Sequence, residues 1–322
     1  MIIMISRITA NNIQAHHIHY IKNGSPHTNK SGKLWRKVEK VMKRHALTYS
    51  VHETEYEGHA RLLTEEILAS TKAETFIVVI GGDGTMHEVM NGAAKCKHAV
   101  IMCLPAGSGN DYVRGIQHTS GIREAVSLLL QQKAPSVIDL GQFKYQGRMG
   151  HFVNSLGIGF DASIAKAVNG SKWKKRFQTL RLGKFVYMYY FIKKLFLFKT
   201  FRLKAVVDGR KYIYQNVWFV IVANQPYFGG GIKVSPYSSA DDGKLQVVVV
   251  SNLSSFLFLL VFLTVAWGGH LRLKWVESFT CRAVRLYTSD EVPIQADGEH
   301  IGYSAASVKV IPKAVRIIKQ SL

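Results

Sequence analysis

The apolar run Thr75 to Ile80, TFIVVI, ends abruptly in GGDGTMHEV, three glycines around Asp83 and then a helix-forming stretch. A nearly continuous apolar run of that length suits a parallel strand buried on both faces. The glycines suit a tight strand-to-helix turn, since Gly81, Gly82 and Gly84 tolerate positive φ and let a ligand approach the main chain. Thr85 followed by Glu88 reads as a capping box that starts the helix. A helix N-terminus then offers N–H groups and a favourable dipole to an anion, above all phosphate. Two familiar phosphate loops are excluded. The pattern GxGxxG fails because His87 stands at its third glycine, and the Walker pattern fails in GSPHTNKSG (24–32) because Asn29 stands at its second. Asp83 distinguishes this turn from an ordinary connection. A carboxylate among phosphate-facing amides repels the ligand unless a cation lies between, which points to a Mg²⁺–nucleotide site that Asp83 meets directly or through water.

The surrounding sequence repeats strand and helix. Strands are expected at 17–23, 47–54, 75–80 and 99–105, and helices at 33–45, 59–71, 86–95 and near 122–132. Such alternation implies a parallel sheet covered on both faces. A second glycine turn, LPAGSGNDYVRG (104–115), again follows an apolar strand and opens toward a helix. Ligands bind at the carboxyl ends of strands in open α/β sheets, so two such turns on adjacent strands would share one crevice. Ser108 can donate to a phosphate there. Asn110 and Asp111 add polar groups, Asp111 reading as an N-cap or as a catalytic carboxylate.

The texture changes after Pro135 to short extended runs separated by glycines, so a mostly antiparallel β domain is expected from about 136–140. Within it, 201–224 reads as a hairpin turned at Asp208-Gly209. The end, SVKVIPKAVRIIKQSL, either closes this domain or returns to the first. The formal net charge of +21 implies an anionic partner: nucleic acid, an anionic lipid surface or a phosphorylated substrate. Cys96, Cys103 and Cys281 form no pair framework and suit a reducing cytoplasm. The start lacks the basic n-region of a secretory signal. FLFLLVFLTVAW (256–267) falls short of the roughly 20 residues a spanning helix needs and reads as a buried or interfacial helix. His16, His17 and His19 lack further spaced ligands and read as a solvated or loosely packed cluster rather than a metal site.

GGDGT (81–85), LPAGSGND (104–111), GIGFDA (157–162), SPYSSADDGKL (235–245) and ADGE (296–299) stand in the order and rough spacing of the diacylglycerol kinase catalytic family. Over essentially its whole length the chain resembles the soluble bacterial lipid kinases of that family, relatives also of the sphingosine and ceramide kinases. GGDGT alone is shared with NAD kinases and loosely with phosphofructokinases; the five in series are specific. The resemblance implies an α/β plus all-β chain. A Rossmann-like nucleotide domain would span 1–138, a C-terminal antiparallel β-sandwich would span 139–305, and 306–322 would return to the first, with the active site between the domains.

By the same resemblance, Gly81, Gly82, Asp83, Gly84, Thr85, Met86 and His87 line the ATP phosphates, with Thr54, Ser108 and Asn110 as further nucleotide contacts. Mg²⁺ is expected on the Asp242 side chain and the carbonyls of Ser239 and Lys244. Glu299 matches the general base that takes the proton of the lipid hydroxyl, and Asp83 joins it as a catalytic carboxylate. Asp297 either orients that turn or joins the acidic network at the metal. Two positions depart from the family: Asn23-Gly24 stands in place of an asparagine–proline loop, and His87 where asparagine is common.

Residues 162–207 hold no Asp or Glu, but 12 Lys and Arg and 10 aromatics. Basic residues interleaved with rings suit an anionic membrane interface. Part of the segment fits a helix with its aromatic face in the core, and no nucleic-acid-binding motif appears. The expectation is therefore an ATP- and Mg²⁺-dependent lipid kinase, cytoplasmic and peripheral at the inner membrane face, converting diacylglycerol to phosphatidic acid. A homodimer is compatible with the family. Kinases of other lipid alcohols, such as a sphingoid base or phosphatidylglycerol, are the nearest alternatives. NAD kinase and a non-catalytic membrane- or nucleotide-binding protein are more distant ones.

Overall fold

The computed structural model describes residues 17–24, 30–94, 96–117, 124, 127–128, 134–170, 183–265 and 268–319, side chains excepted at 183–187. It divides into two units, residues 1–138 with 314–322, and residues 139–313.

The first unit is built on β1 (Ile18–Asn23), β2 (Tyr49–Thr54), β3 (Thr75–Gly81) and β4 (Ala99–Pro105), all parallel in the order β2-β1-β3-β4. Helices α1 (Lys30–Arg44), α2 (His59–Ala69) and α3 (Asp83–Ala93) connect successive strands. Leu34, Val38 and Met42 recur on one face of α1 and are buried, which is why that segment is an amphipathic helix. β3 and β4 are buried along nearly their whole length, the reason their sequences do not alternate. Strand order reverses beside β1, which places a topological switch point at the carboxyl ends of β1 and β3. The helix expected near 122–132 lies largely outside the described residues.

In the second unit the strands are mostly antiparallel. β5 (Ser136–Tyr145) and β6 (Arg148–Phe152) form a hairpin, and β7 (Ser155–Gly159) leads into α4 (Phe160–Asn169). After α5 (Gly183–Leu195), β8 (Phe201–Val207) and β9 (Arg210–Ala223) form the hairpin expected at Asp208-Gly209, both of which have positive φ as a tight turn requires. β10 (Leu245–Ser251), α6 (Ser255–Thr264), β11 (Val276–Cys281), β12 (Ala283–Thr288), β13 (Pro293–Ala296) and β14 (Glu299–Tyr303) follow. β8 shows the alternation of a half-buried strand: Phe201, Leu203, Ala205 and Val207 enter the core while Arg202 and Lys204 face water. That core also takes Phe152, Leu156, Val220, Val247, Leu286 and Val308. The other face of β9 and β10 is covered by helices, with Phe160, Trp218 and Phe258 clustered at ring-centroid distances of 4.4 to 5.6 Å.

β15 (Ala306–Ile317) belongs to both sheets. Ala306 to Lys309 pair antiparallel with β12, and Arg316 and Ile317 pair parallel with β4. Ile318 is buried in the first unit's core with Val100 and Met102. Among the described residues no helix is long and apolar enough to cross a membrane; FLFLLVFLT forms most of α6, which is ten residues long.

Candidate active site

In the first unit the expected residues gather at the carboxyl ends of the parallel strands. Gly81 ends β3, Pro105 lies opposite it at the end of β4, and the Ala106 amide donates to the Gly81 carbonyl at 2.8 Å. None of Gly81, Gly82 or Gly84 adopts positive φ, and Gly81 and Gly82 serve close approach instead. A Cβ on Gly82 would stand 3.0 Å from the Gly107 Cα, and one on Gly81 would stand 2.7 Å from Thr85 Cβ. The second glycine turn presses on Gly82, and the first turn's own Thr85 presses on Gly81.

The capping box does not form. α3 begins at Asp83, with Gly82 as its N-cap and no side-chain cap. Thr85 Oγ1 instead accepts from Asn23 Nδ2 at 2.9 Å, tying the end of β1 to the first turn of α3. Glu88 accepts from the amides of Gly58 and Ala60 at 2.9 and 3.0 Å, so its carboxylate serves the N-terminus of α2. The partner lay a whole βα unit upstream, out of reach of a local pattern.

Asp83 Oδ1 accepts from the Tyr112 amide at 3.1 Å, which draws the segment after the second turn onto α3. Met86 is buried and its amide donates to the Gly82 carbonyl at 3.0 Å, so it supports the turn from inside. His87 faces Asn91 Nδ2 at 3.3 Å, one helical turn on. Asn110, at φ +56, accepts from the Gly107 amide and donates to the Gly107 carbonyl, both at 3.1 Å. It thus braces the second turn, while Ser108 at its tip is exposed. Asp111 pairs with Arg114 at 2.9 Å. Thr54 Oγ1 accepts from the Gly24 amide at 3.2 Å, and a Cβ on Gly24 would collide with the Thr54 carbonyl oxygen at 2.2 Å. Gly24 thus suits the close approach of the β1 and β2 ends. Sequence reading missed one further group: Lys30, Lys33 and Lys37 of α1 line a cavity of about 250 Å³ with Pro105, Ala106 and Gly107. Their i, i+3, i+7 spacing sets them along one side of α1.

In the second unit, two turns carry the expected residues. Buried Asp139 pins the first: its Oδ2 accepts from the Gly243 amide at 2.6 Å, its Oδ1 from the Lys313 amide at 2.8 Å, and its own amide donates to Ala240 at 2.6 Å. Ser239 donates to Asp241 at 2.5 Å, and Asp242 Oδ1 accepts from the Lys244 amide at 2.9 Å. The Asp242 carboxyl is pushed above its ordinary range, chiefly by burial, with Asp139 and Asp241 adding like charge against the Lys244 amide and ammonium. Among the described residues no three His, Cys, Asp or Glu side chains form a metal cage. One carboxylate with main-chain carbonyls is a different donor set. It is all oxygen, and the surplus negative charge at Asp242 is what a hard cation relieves, so the turn fits Mg²⁺.

The second turn is the β13–β14 hairpin. Asp297, at φ +49, accepts from the amides of Val153, Asn154 and Ser155 at 2.8, 2.8 and 3.1 Å. Its carboxylate therefore orients the hairpin, the first of the two roles expected for it. Gly298 donates to buried Gln295 Oε1 at 2.7 Å, and Gln295 Nε2 donates to Asp161 Oδ2 at 3.1 Å. Asn169 Nδ2 reaches the Gly298 carbonyl at 3.0 Å and Glu299 Oε2 at 3.4 Å. Burial raises the Asp161 carboxyl to about 6, against the hydrogen bond from Gln295, and its Oδ1 is buried with no partner. A Cβ on Gly157 would lie 1.8 Å from Asp161 Oδ2, so the first glycine of GIGFDA makes room for the aspartate of the same motif.

Comparison with known proteins agrees with this geometry. The diacylglycerol kinase catalytic domain matches residues 17–143. The YegS C-terminal NAD kinase beta sandwich-like domain matches residues 154–319. YtlR of Bacillus subtilis strain 168, named provisionally as a lipid kinase, is 29% identical over 88% of this chain and 94% of its own. The same organism's "Diacylglycerol kinase" is 25% identical over 79% of this chain and 80% of its own. A crystal structure from Bacillus anthracis str. Sterne, named provisionally as a diacylglycerol kinase, shares the fold with a TM-score of 0.74 at 21% identity, over 95% of each chain. The chain belongs to the diacylglycerol kinase catalytic family and has that family's pair of domains, an N-terminal α/β domain followed by a C-terminal β-sandwich.

Proposed function

We propose that this kinase transfers the γ-phosphoryl group of ATP to a lipid hydroxyl, and that the lipid is diacylglycerol, giving phosphatidic acid at the cytoplasmic face of a membrane. The observation that carries the reading is the β13–β14 hairpin, where Asp297 and Gln295 hold the turn immediately before Glu299. A general base needs that kind of fixed support. The activity carried in the name of the Bacillus subtilis diacylglycerol kinase supports the choice of lipid.

In this reading, the first turn of α3 receives the phosphates on main-chain N–H groups, which have no acceptor within the helix. Thr54, Ser108 and the paired glycine turns shape the rest of the nucleotide site, and the α1 lysines add positive charge. Asp83 keeps the turn closed over Tyr112. Asp242, with the carbonyls of Ser239 and Lys244, would hold Mg²⁺, which when bound neutralises charge on the transferring phosphate. Glu299 takes the hydroxyl proton as the lipid oxygen bonds to the γ-phosphorus. The bond from that phosphorus to the β–γ bridging oxygen breaks, and ADP leaves with its electron pair. Asn169 Nδ2 lies 3.4 Å from Glu299 Oε2 and steadies that carboxylate.

The test is transfer of labelled γ-phosphate to a panel of lipid alcohols in mixed micelles, with NAD as a further acceptor. Diacylglycerol should be labelled, and Glu299→Gln should lose about a hundredfold or more in turnover while still binding ATP. Label in NAD alone, or in no acceptor, overturns the reading.

A further inference from the structure

α5 and α6 come from distant parts of the second unit but meet through Phe191, whose ring centroid lies 4.7 Å from that of Phe262 and 6.3 Å from that of Phe258. α6 is apolar all round, yet only one side of it is buried, through Phe258 and Val261. The opposite side carries Phe256, Leu260 and Leu263, spaced to align on one face, and all three stand in solvent, Phe256 at 69% exposure. α5 adds exposed Met188, Tyr189 and Ile192. The chain leaving α5 adds Phe196 and Leu197, 71% and 67% exposed. Large exposed apolar groups gathered in this way mark a contact surface.

The charge around them says what the contact is. Both helices lie in stretches without a single Asp or Glu, residues 162–207 and 243–276. Lys193, Lys194 and Lys199 flank the α5 residues, and Lys193 Nζ lies 5.9 Å from the Tyr189 ring centre. A second copy of the chain would set this same basic rim against itself, since a twofold interface repeats one surface. An anionic bilayer offers the complement, with phosphates for the lysines and acyl chains for the apolar tips. We propose that the exposed faces of α5 and α6, with Phe196 and Leu197, form a shallow wedge that inserts into the surface of an anionic phospholipid bilayer. This deepens the lipid-kinase reading and rests on it for its purpose, though not for its test.

The full-length protein is floated with vesicles of phosphatidylcholine alone, or of equal phosphatidylcholine and phosphatidylglycerol, without ATP or lipid alcohol. Wild type should float with the anionic vesicles. The variant Phe256→Ser/Leu260→Ser/Leu263→Ser should bind them at least about tenfold more weakly. Lys193→Ser/Lys194→Ser should lose most of the preference for the anionic vesicles. If circular dichroism shows the triple variant misfolded, Phe196→Ser/Leu197→Ser, just beyond α5, carries the test with the same expected loss. Wild type that stays unbound, or apolar variants that bind as wild type does, overturn the proposal. So does a variant that loses only self-association in sedimentation, which would assign the face to a second copy. Turnover on a short-chain lipid alcohol below its micelle concentration reads the kinase separately. It should survive in the wedge variants, so failure of the activity and failure of the docking are distinguishable.

Discussion

Gly82 and Gly107 pack main chain against main chain: a Cβ on Gly107 would fall 2.6 Å from the Gly82 Cα, and 2.9 Å from Asn110 Oδ1. Neither neighbour is the loose end of a flexible side chain. Gly107→Ala must therefore push two adjacent turns apart. We expect a loss of about 1–3 kcal/mol in stability and weaker ATP binding, read by urea unfolding and nucleotide titration. An unchanged midpoint would mean that the turns separate at no cost.

The Asp297 carboxylate accepts from three main-chain amides, those of Val153, Asn154 and Ser155. Hydrogen bonds to a charged acceptor contribute about 1.5–3 kcal/mol each, and their loss leaves buried donors unpaired. Asp297→Ala should lower stability by several kcal/mol. Asp297→Asn, which keeps one acceptor oxygen, should be milder. In that variant kcat should fall more than the KM for ATP rises, since the base rather than the nucleotide is displaced. Equal changes in both would argue that Asp297 acts at the nucleotide.

Asp161 makes a pH prediction whose sign is unusual for a carboxylate. Its folded pKa lies near 6, above the ordinary 3.8, because burial disfavours the charged form. The folded state therefore binds the proton more tightly than the unfolded chain does. This contribution to stability is complete below pH 3.8 and is lost as pH rises through about 6. Asp161→Asn removes the cost of the buried charge. It should raise stability at pH 7 by up to about 3 kcal/mol and flatten the profile between pH 4 and 6. A variant less stable than wild type at pH 7 would show that the ionised carboxylate is needed in the fold.

Lys30, Lys33 and Lys37 are exposed, so their removal should leave stability nearly unchanged. If the cavity beside Gly107 receives phosphates, replacing all three by Ala should raise the KM for ATP about three- to tenfold. The effect should shrink at high salt, where screening already weakens the contact. A KM insensitive to the triple change would remove these lysines from the nucleotide site.

The architecture was readable where burial writes a period into the sequence. β3 and β4 are apolar because both faces are covered, α1 repeats Leu34, Val38 and Met42, and Asp208-Gly209 marks its own turn. The five motifs likewise stand out in one dimension. What could not be read were bonds between remote residues. Thr85 and Glu88 have the spacing of a capping box, but α3 starts at Asp83, and each side chain instead meets a group many residues upstream. The glycines of the first turn suggested unusual backbone angles, whereas Gly82 is there for the approach of Gly107 from the next strand, which the sheet register sets, and Gly81 for the approach of Thr85. The tie of Asp297 to Val153, Asn154 and Ser155 crosses more than a hundred residues and leaves no local trace.

β15 has a consequence for how the chain is made. The sheet of the first unit takes two of its paired residues, Arg316 and Ile317, from a strand that follows the whole second unit in the chain. A ribosome extends a chain at roughly 5–20 residues per second, so the α/β unit, though begun first, waits for the whole second unit to be made before its edge beside β4 is sealed. During that interval Val100 and Ile101 are an open template for other strands, and nascent-chain chaperones have most reason to attend to that edge.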